Sequence, residues 1–143
     1  MSKPPQTIDL KLVKQKPKLI EWLPGVGKAT CQAVYPNIYV PRHVYASLQS
    51  DNPEPRYIAV LLHEQEHLLR MKQSGVLKWN LRYAFSRKFR LDEELAAVKP
   101  QKIYLLQQGE AYDDERKAKL LSSWLYFWST SYDKALEKLK QLN

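Results

Sequence analysis

The sequence predicts an α+β fold, a helix-dominated single domain over residues 1–143 with a small β-sheet ahead of its central helix. Three observations predict it. The chain has 143 residues, 44% hydrophobic and 27% charged, which suits one domain with one continuous core. Short β-branched and aromatic runs lie before residue 56. After that residue, apolar side chains recur mainly at the three- and four-residue spacing of helices.

The small sheet is predicted from two short segments. Residues 31–35 and 38–40 are rich in β-branched and aromatic side chains, and Pro36 begins a tight turn between them. Pro41 then suits the first position of a short helix that ends near Leu48. A strand pair followed by a short helix is therefore expected.

The N-terminal region carries weaker signals. Residues 1–7 are expected to form a flexible tail, and residues 11–22 give no clear assignment. Residues 23–28 are typical of a turn. That turn contains Gly and Lys but lacks the spacing of a phosphate-binding loop, so nucleotide binding of that kind is not expected.

Five helices are predicted in the rest of the chain. Gly75 separates the first from the second, and Pro100 weakens the third. The predicted helices cover residues 56–72, 76–88, 91–106, 119–128 and 132–142.

The chain is basic. It has 23 Lys and Arg against 15 Asp and Glu, a net charge of +8. Such an excess keeps nucleic acid among the partners to consider. A basic segment without any acid predicts either an anion-facing strip or the solvated faces of two helices. Its members are Arg70, Lys72, Lys78, Arg82, Arg87, Lys88 and Arg90.

Three features bear on the compartment. The longest apolar run, residues 57–62, is far shorter than the ~20 residues that cross a bilayer, so no membrane partner is expected. The first residues lack the apolar segment of a secretory signal. Cys31 is the single cysteine and cannot form an internal disulfide. The sequence therefore predicts a cytoplasmic protein, while the oligomeric state stays open.

The chemistry-bearing motif is His63-Glu64-Gln65-Glu66-His67, an H-E-x-x-H pattern on the first predicted helix. Residues four apart share a helix face, so His63 and His67 can present two imidazoles to one metal ion. Glu64 is rotated by about 100° from His63, which places it beside the metal ion rather than among its ligands. The alternative is that both histidines are core residues with ordinary hydrogen-bond partners.

Catalytic zinc needs a third protein ligand, and an acid on a later helix is the natural candidate. The segment Asp92-Glu93-Glu94 lies there. Leu91, Leu95 and Val98 define the apolar stripe of that helix, and Glu94 falls roughly 40° from Val98. Glu93 falls on the far side, so Glu94 is the predicted ligand and Glu93 the alternative.

This pairing of H-E-x-x-H with a glutamate on a downstream helix resembles the gluzincin metallopeptidases, and the compact spacing is similar to the minigluzincins. The resemblance covers residues 38–106. It implies a zincin-like domain with Zn²⁺ bound by His63, His67 and a glutamate, and Glu64 as general base and acid. It also implies that the strand at residues 38–40 aligns an extended substrate. Where thermolysin-like gluzincins carry an Asp four residues after the ligand Glu, this chain has Val98.

The sequence thus predicts a zinc-dependent metallopeptidase that hydrolyses a peptide or protein substrate with a zinc-activated water. The alternatives are a basic nucleic-acid-binding module and a catalytically idle structural zinc protein. A tyrosine is a candidate for stabilising the oxyanion, from the set Tyr83, Tyr104 and Tyr112. Trp79, Trp124 and Trp128 are expected in the core, and Cys31 is expected to be a small apolar strand residue rather than a nucleophile.

Overall fold

The computed structural model describes residues 8–21 and 30–142. The predicted α+β class is confirmed, because helices dominate and one small sheet precedes the long central helix. The strands are β1 (Val13–Gln15), β2 (Gln32–Val34) and β3 (Asn37–Val40). The helices are α1 (Lys18–Glu21), α2 (Arg42–Leu48), α3 (Pro55–Ser74), α4 (Val76–Phe85), α5 (Arg87–Gln107), α6 (Asp114–Leu121) and α7 (Tyr132–Lys140).

The sheet has the order β1-β3-β2, so β3 is the central strand and β2 lies at an edge. β2 and β3 form the predicted antiparallel pair, with Ala33 opposite Ile38. β1 pairs with β3 in parallel and lies within residues 11–22, for which the sequence analysis made no clear assignment. Val13, Ile38 and Val40 point from the sheet into the core, where they pack with Leu61 of α3.

α3 and α5 are the longest helices, and they pack against each other to form the centre of the molecule. Ala59 on α3 and Ala97 on α5 have no exposed surface. Side chains this small permit close approach of two helices. A second core, containing Val98, Leu121 and Leu139, joins α5 to α6 and α7.

The boundary between the second and third predicted helices was wrong. α4 ends at Phe85 and α5 begins at Arg87, because Ser86 adopts an extended conformation and its side chain accepts a hydrogen bond from the Phe89 N–H. This N-cap starts a new helix where apolar spacing alone predicted one helix through residue 88. Pro100 lies inside α5 without ending it.

The predicted helix over residues 119–128 was also wrong. α6 starts earlier, at Asp114, because the Asp113 side chain caps it by accepting from Arg116 N–H. It ends at Leu121, and only a 3-10 turn, Trp124–Tyr126, follows. Phe127 and Trp128 then have φ of 50° and 46°, left-handed values that no right-handed helix contains.

Two predictions fall outside the described residues, namely the tail at residues 1–7 and the turn at residues 23–28. Within the described ranges, no helix combines the length and the apolar character that crossing a membrane requires.

Candidate metal centre

The two histidines of the motif lie in the middle of α3 and are both buried. One helical turn separates them, so their rings come together at the face that α3 turns toward α5. His63 Nε2 and His67 Nε2 are 3.2 Å apart. The predicted sharing of one helix face is therefore confirmed.

Glu94 of α5 completes the cluster. Its Oε1 lies 3.2 Å from His67 Nε2, and its Oε2 lies 3.4 Å from His63 Nε2. Tetrahedral Zn²⁺ with bonds of about 2.0–2.1 Å separates its ligand atoms by about 3.3 Å. The three donor groups that the sequence selected thus stand at the mutual spacing of a zinc ligand set.

The Glu93 carboxylate binds residues other than the two histidines. It accepts from Arg70 Nε at 2.6 Å, Arg70 Nη2 at 2.9 Å and the Trp79 indole N–H at 2.9 Å. The expectation that Glu93 faces away from the core was wrong, since only 4% of its surface is exposed. α4 packs over this side of α5 and supplies the indole, so both carboxylates are buried but only Glu94 meets the histidines.

Gln101 fixes the orientation of the first imidazole. Its Oε1 lies 3.0 Å from His63 Nδ1, and the tautomer that carries the ring proton on Nδ1 donates to it. His63 Nε2 then presents a bare lone pair toward Glu94. Metal-ligating histidines are commonly held by such a second hydrogen bond. His67 Nδ1 is buried without a hydrogen-bond partner among the described residues.

The pKa shifts describe the charges of the cluster. Burial lowers the pKa of His63 to about 4, which keeps its ring neutral. Burial also opposes a charge on His67, yet the Glu94 carboxylate outweighs it and raises the pKa of His67. For Glu94, burial is outweighed by Lys117 and His67, which hold its pKa well below the usual range. Glu94 is therefore ionised and able to bind a cation.

Two residues that sequence reasoning did not assign to the ligand set contact Glu94. The Lys117 ammonium of α6 donates to Oε2 at 2.9 Å. The Tyr83 hydroxyl of α4 donates to Oε1 at 2.6 Å. Lys117 did leave a signal, because it stands four residues before Leu121 and so shares the apolar face of α6.

Glu64 is set between the motif helix and the sheet. Its Oε2 accepts a hydrogen bond from the Ala33 backbone N–H at 2.8 Å. Since Ala33 lies in β2, this contact ties the carboxylate to the free edge of the sheet. Burial raises the pKa of Glu64 to about 7. A carboxyl group with that pKa can both take up and release a proton near neutral pH.

A cleft of about 340 Å³ opens beside the cluster. β2, α3, α4, α5 and the segment from α6 to the 3-10 turn contribute to its walls. The candidate site residues His63, Glu64, His67 and Glu94 all line it, together with Tyr83 and Tyr126. The C-terminal segment contributes both to the core, through Ala118 and Leu121 of α6, and to the cleft wall, through Tyr126.

The three tyrosine candidates differ in their positions relative to the cleft. Tyr83 lines the cleft, but its hydroxyl hydrogen is given to Glu94. Tyr104 packs with Ala59 of α3 in the core, and Tyr112 lies at the edge of that packing, outside the described cleft lining. Tyr126, which sequence reasoning did not select, contributes to the cleft wall instead.

The tryptophan and cysteine predictions had mixed outcomes. Trp79 is buried as predicted, but Trp124 and Trp128 are 61% and 58% exposed and were wrongly placed in the core. The left-handed turn at the end of their segment directs the chain away from helical packing. Cys31 is half-buried at the cleft, and burial raises the pKa of its thiol to about 12, which keeps it protonated and unreactive.

The seven residues of the basic segment have different surroundings. Arg90 is only 2% exposed, and Arg70 is half-buried and paired with Glu93. Lys88 is paired with Asp92, and the guanidinium carbon of Arg82 lies 4.1 Å from the Phe89 ring centroid. The exposed members are Lys72, Lys78, Arg82, Arg87 and Lys88.

Comparison of the chain with protein-family models, curated proteins and solved structures finds no match.

Proposed function

We propose that this protein is a zinc-dependent metallopeptidase with a zincin-like, gluzincin-type centre. The observation that carries the proposal is the convergence of His63 Nε2, His67 Nε2 and one Glu94 carboxylate at separations of 3.2 to 3.4 Å. Glu64 borders the same cleft without belonging to that trio.

The donor set fits a divalent cation. His63 Nε2 lies 3.4 Å from Glu94 Oε2, and His67 Nε2 lies 3.2 Å from Glu94 Oε1. With the His63 proton on Nδ1, the Nε2 lone pair and the ionised carboxylate face the same small space, and a cation held there is stabilised by both. Nitrogen and carboxylate donors in this number are typical of catalytic zinc, which leaves a fourth position open.

The proposed mechanism assigns the proton transfers to Glu64. When bound, zinc supplies Lewis-acid polarisation of the scissile carbonyl and makes water a stronger acid. Glu64 accepts the proton of the attacking water and returns it to the leaving amine. Its pKa of about 7 suits both steps, and the Ala33 N–H fixes one of its oxygens so that the other is free for the proton.

The proposed substrate is an extended peptide or protein segment beside β2. The strand at residues 38–40 cannot take this part as the sequence analysis expected, because β3 is paired on both sides, with β1 and with β2. Among the described residues β2 pairs with β3 alone, and its other edge reaches Glu64 through Ala33. An extended chain laid along that edge would bring its peptide bond to the general base, while the Ala33 N–H stays bound to Glu64.

Two further expectations belong with this proposal. A single cysteine that is half-buried and protonated fits a reducing compartment, so we place the protein in the cytoplasm. The dispersed basic residues give a nucleic-acid-binding role little support, and we do not extend the proposal to it.

The experiment compares zinc-loaded wild type with Glu64→Gln in the cleavage of a mixed peptide library, followed by mass spectrometry. Glutamine keeps the size and the hydrogen bond from Ala33 but cannot accept the proton. We expect wild-type cleavage, loss of at least about a hundredfold in the variant, and equal zinc content in both. Equal cleavage by both proteins would contradict the mechanism. Zinc binding without cleavage by either would favour the structural zinc alternative.

A further inference from the structure

Lys117 is a buried cation placed directly behind the proposed metal ligand. It lies in α6 and is 8% exposed. Its ammonium group donates to Glu94 Oε2 at 2.9 Å and to the Tyr126 hydroxyl oxygen at 3.3 Å. A buried ammonium group is costly unless it is paired, and Glu94 provides that pairing.

Lys117 is outside the set of described residues that line the cleft, whereas both of its partners line it. Its effect on a substrate must therefore pass through Glu94 and Tyr126. This separates Lys117 from residues that touch the reacting atoms and makes it a positioning residue.

The two oxygens of Glu94 have different surroundings. Oε2 faces the Lys117 ammonium group at 2.9 Å and His63 Nε2 at 3.4 Å, while Oε1 faces His67 Nε2 at 3.2 Å and accepts from the neutral Tyr83 hydroxyl. Like charges repel, so a metal ion is disfavoured at the oxygen that already holds the ammonium group. Oε1 is left as the single oxygen offered to the metal ion.

The contact with Tyr126 has a direction. An ammonium group has only donors, so the Tyr126 oxygen accepts from Lys117 and its hydroxyl hydrogen is not used in that bond. Tyr126 lines the cleft, so this hydrogen can be donated to a carbonyl oxygen that becomes negative during hydrolysis. Tyr83 differs, because its hydrogen is donated to Glu94.

We propose that Lys117 sets the coordination of the metal centre: it reserves one oxygen of Glu94, so that the metal ion takes only the other, and it holds Tyr126 with its hydrogen free toward the cleft. This inference rests on the proposed metal centre. By this inference α6 contributes to the site, although it lies outside the H-E-x-x-H motif.

The test is the visible absorption spectrum of the cobalt-substituted protein, since Co²⁺ replaces Zn²⁺ and its absorption weakens when its coordination number rises above four. In Lys117→Met both Glu94 oxygens become available, so we expect a loss of absorption intensity. Lys117→Arg keeps a cation against Oε2 and should keep the wild-type spectrum. Lys119→Met, an exposed change on the same helix, is the matched control and should also leave the spectrum unchanged.

Tyr126→Phe supplies a second readout. It should keep the cobalt spectrum and lower kcat with little change in KM, because it removes a donor used only in the transition state. Lys117→Met should show both effects together.

An unchanged cobalt spectrum in Lys117→Met would overturn the inference and leave the metallopeptidase proposal standing. Failure of the wild type to bind cobalt or zinc would overturn both. If Lys117→Met does not fold, the Lys117→Arg spectrum decides, and a weakened spectrum there would contradict the inference.

Discussion

At the scale of single residues, the two adjacent glutamates Glu93 and Glu94 have different partners and therefore different chemical roles. Glu94 meets two imidazoles, a phenol and an ammonium group, whereas Glu93 meets a guanidinium and an indole. Helical spacing was enough to select Glu94, because the apolar stripe of α5 fixes which carboxylate borders it. The same spacing could not show that Glu93 is buried, since that depends on Trp79 and Arg70 from other helices.

We predict that Glu94→Gln mainly lowers zinc affinity, whereas Glu93→Gln mainly lowers the free energy of unfolding. Glu94→Gln removes the anionic ligand and should weaken zinc binding strongly, as measured by competition with a chromophoric chelator. Glu93→Gln weakens the hydrogen bonds from Arg70 and Trp79, so it should lower the free energy of unfolding by about 1–3 kcal/mol while zinc affinity changes little. The opposite ranking in the chelator assay would assign the ligand to Glu93.

The histidine pKa shifts predict how zinc affinity depends on pH. His63 is already neutral above about pH 4, whereas His67 has a raised pKa and must lose a proton before it can bind metal. Between roughly pH 5 and 6.5, zinc binding should therefore weaken by about tenfold for each unit that the pH falls, which corresponds to one displaced proton. A hundredfold change per unit would show that both rings are protonated and would contradict this assignment.

At the scale of elements, four helices and one edge strand converge on the site. α3 supplies both imidazoles and Glu64, and α5 supplies Glu94. α4 and α6 supply Tyr83 and Lys117, and β2 supplies the hydrogen bond to Glu64. The long helices were predictable because their spacing and Gly75 are local signals. The break at Ser86 and the turn after Leu121 were not, because side-chain caps decided them against continuous apolar spacing.

Gln101 of α5 holds the His63 ring through the contact of its Oε1 with Nδ1. We predict that Gln101→Ala weakens zinc binding by about 10–100-fold, because the ring loses the partner that fixes its proton and orientation. Gln107→Ala, an exposed change later in the same helix, is the control and should have no effect. Equal zinc affinities for the two variants, measured by chelator competition, would show that Gln101 has no such role.

At the scale of the whole molecule, the site residues that could be predicted from sequence are those whose positions follow from spacing within a single helix. His63, Glu64 and His67 share one helix, and Glu94 follows from a single additional helix face. The contacts from Gln101, Lys117 and Ala33 join residues 38, 23 and 31 positions apart, respectively. Such contacts depend on how the elements pack, which no local pattern in this chain encodes.

The distribution of charge gives a prediction for nucleic acid. Two of the seven basic residues from Arg70 to Arg90 are withheld from phosphates, because Arg90 is buried and Arg70 is paired with Glu93. Binding of duplex DNA through this segment should then involve at most about five phosphates, and log Kobs should fall with log salt at a slope no steeper than about −4.5. Fluorescence anisotropy across a salt series measures that slope. A value near −6 would instead support an anion-facing strip in which all seven residues contact phosphates.

The central claim is that one zinc ion is held by His63, His67 and Glu94. An anomalous-difference map, recorded at the zinc absorption edge from crystals of the zinc-loaded protein, tests this directly because it locates the metal independently of activity. We expect one strong peak per chain, about 2.0–2.2 Å from His63 Nε2, His67 Nε2 and one Glu94 oxygen. A peak at other residues, or no peak between these three side chains, would contradict the account.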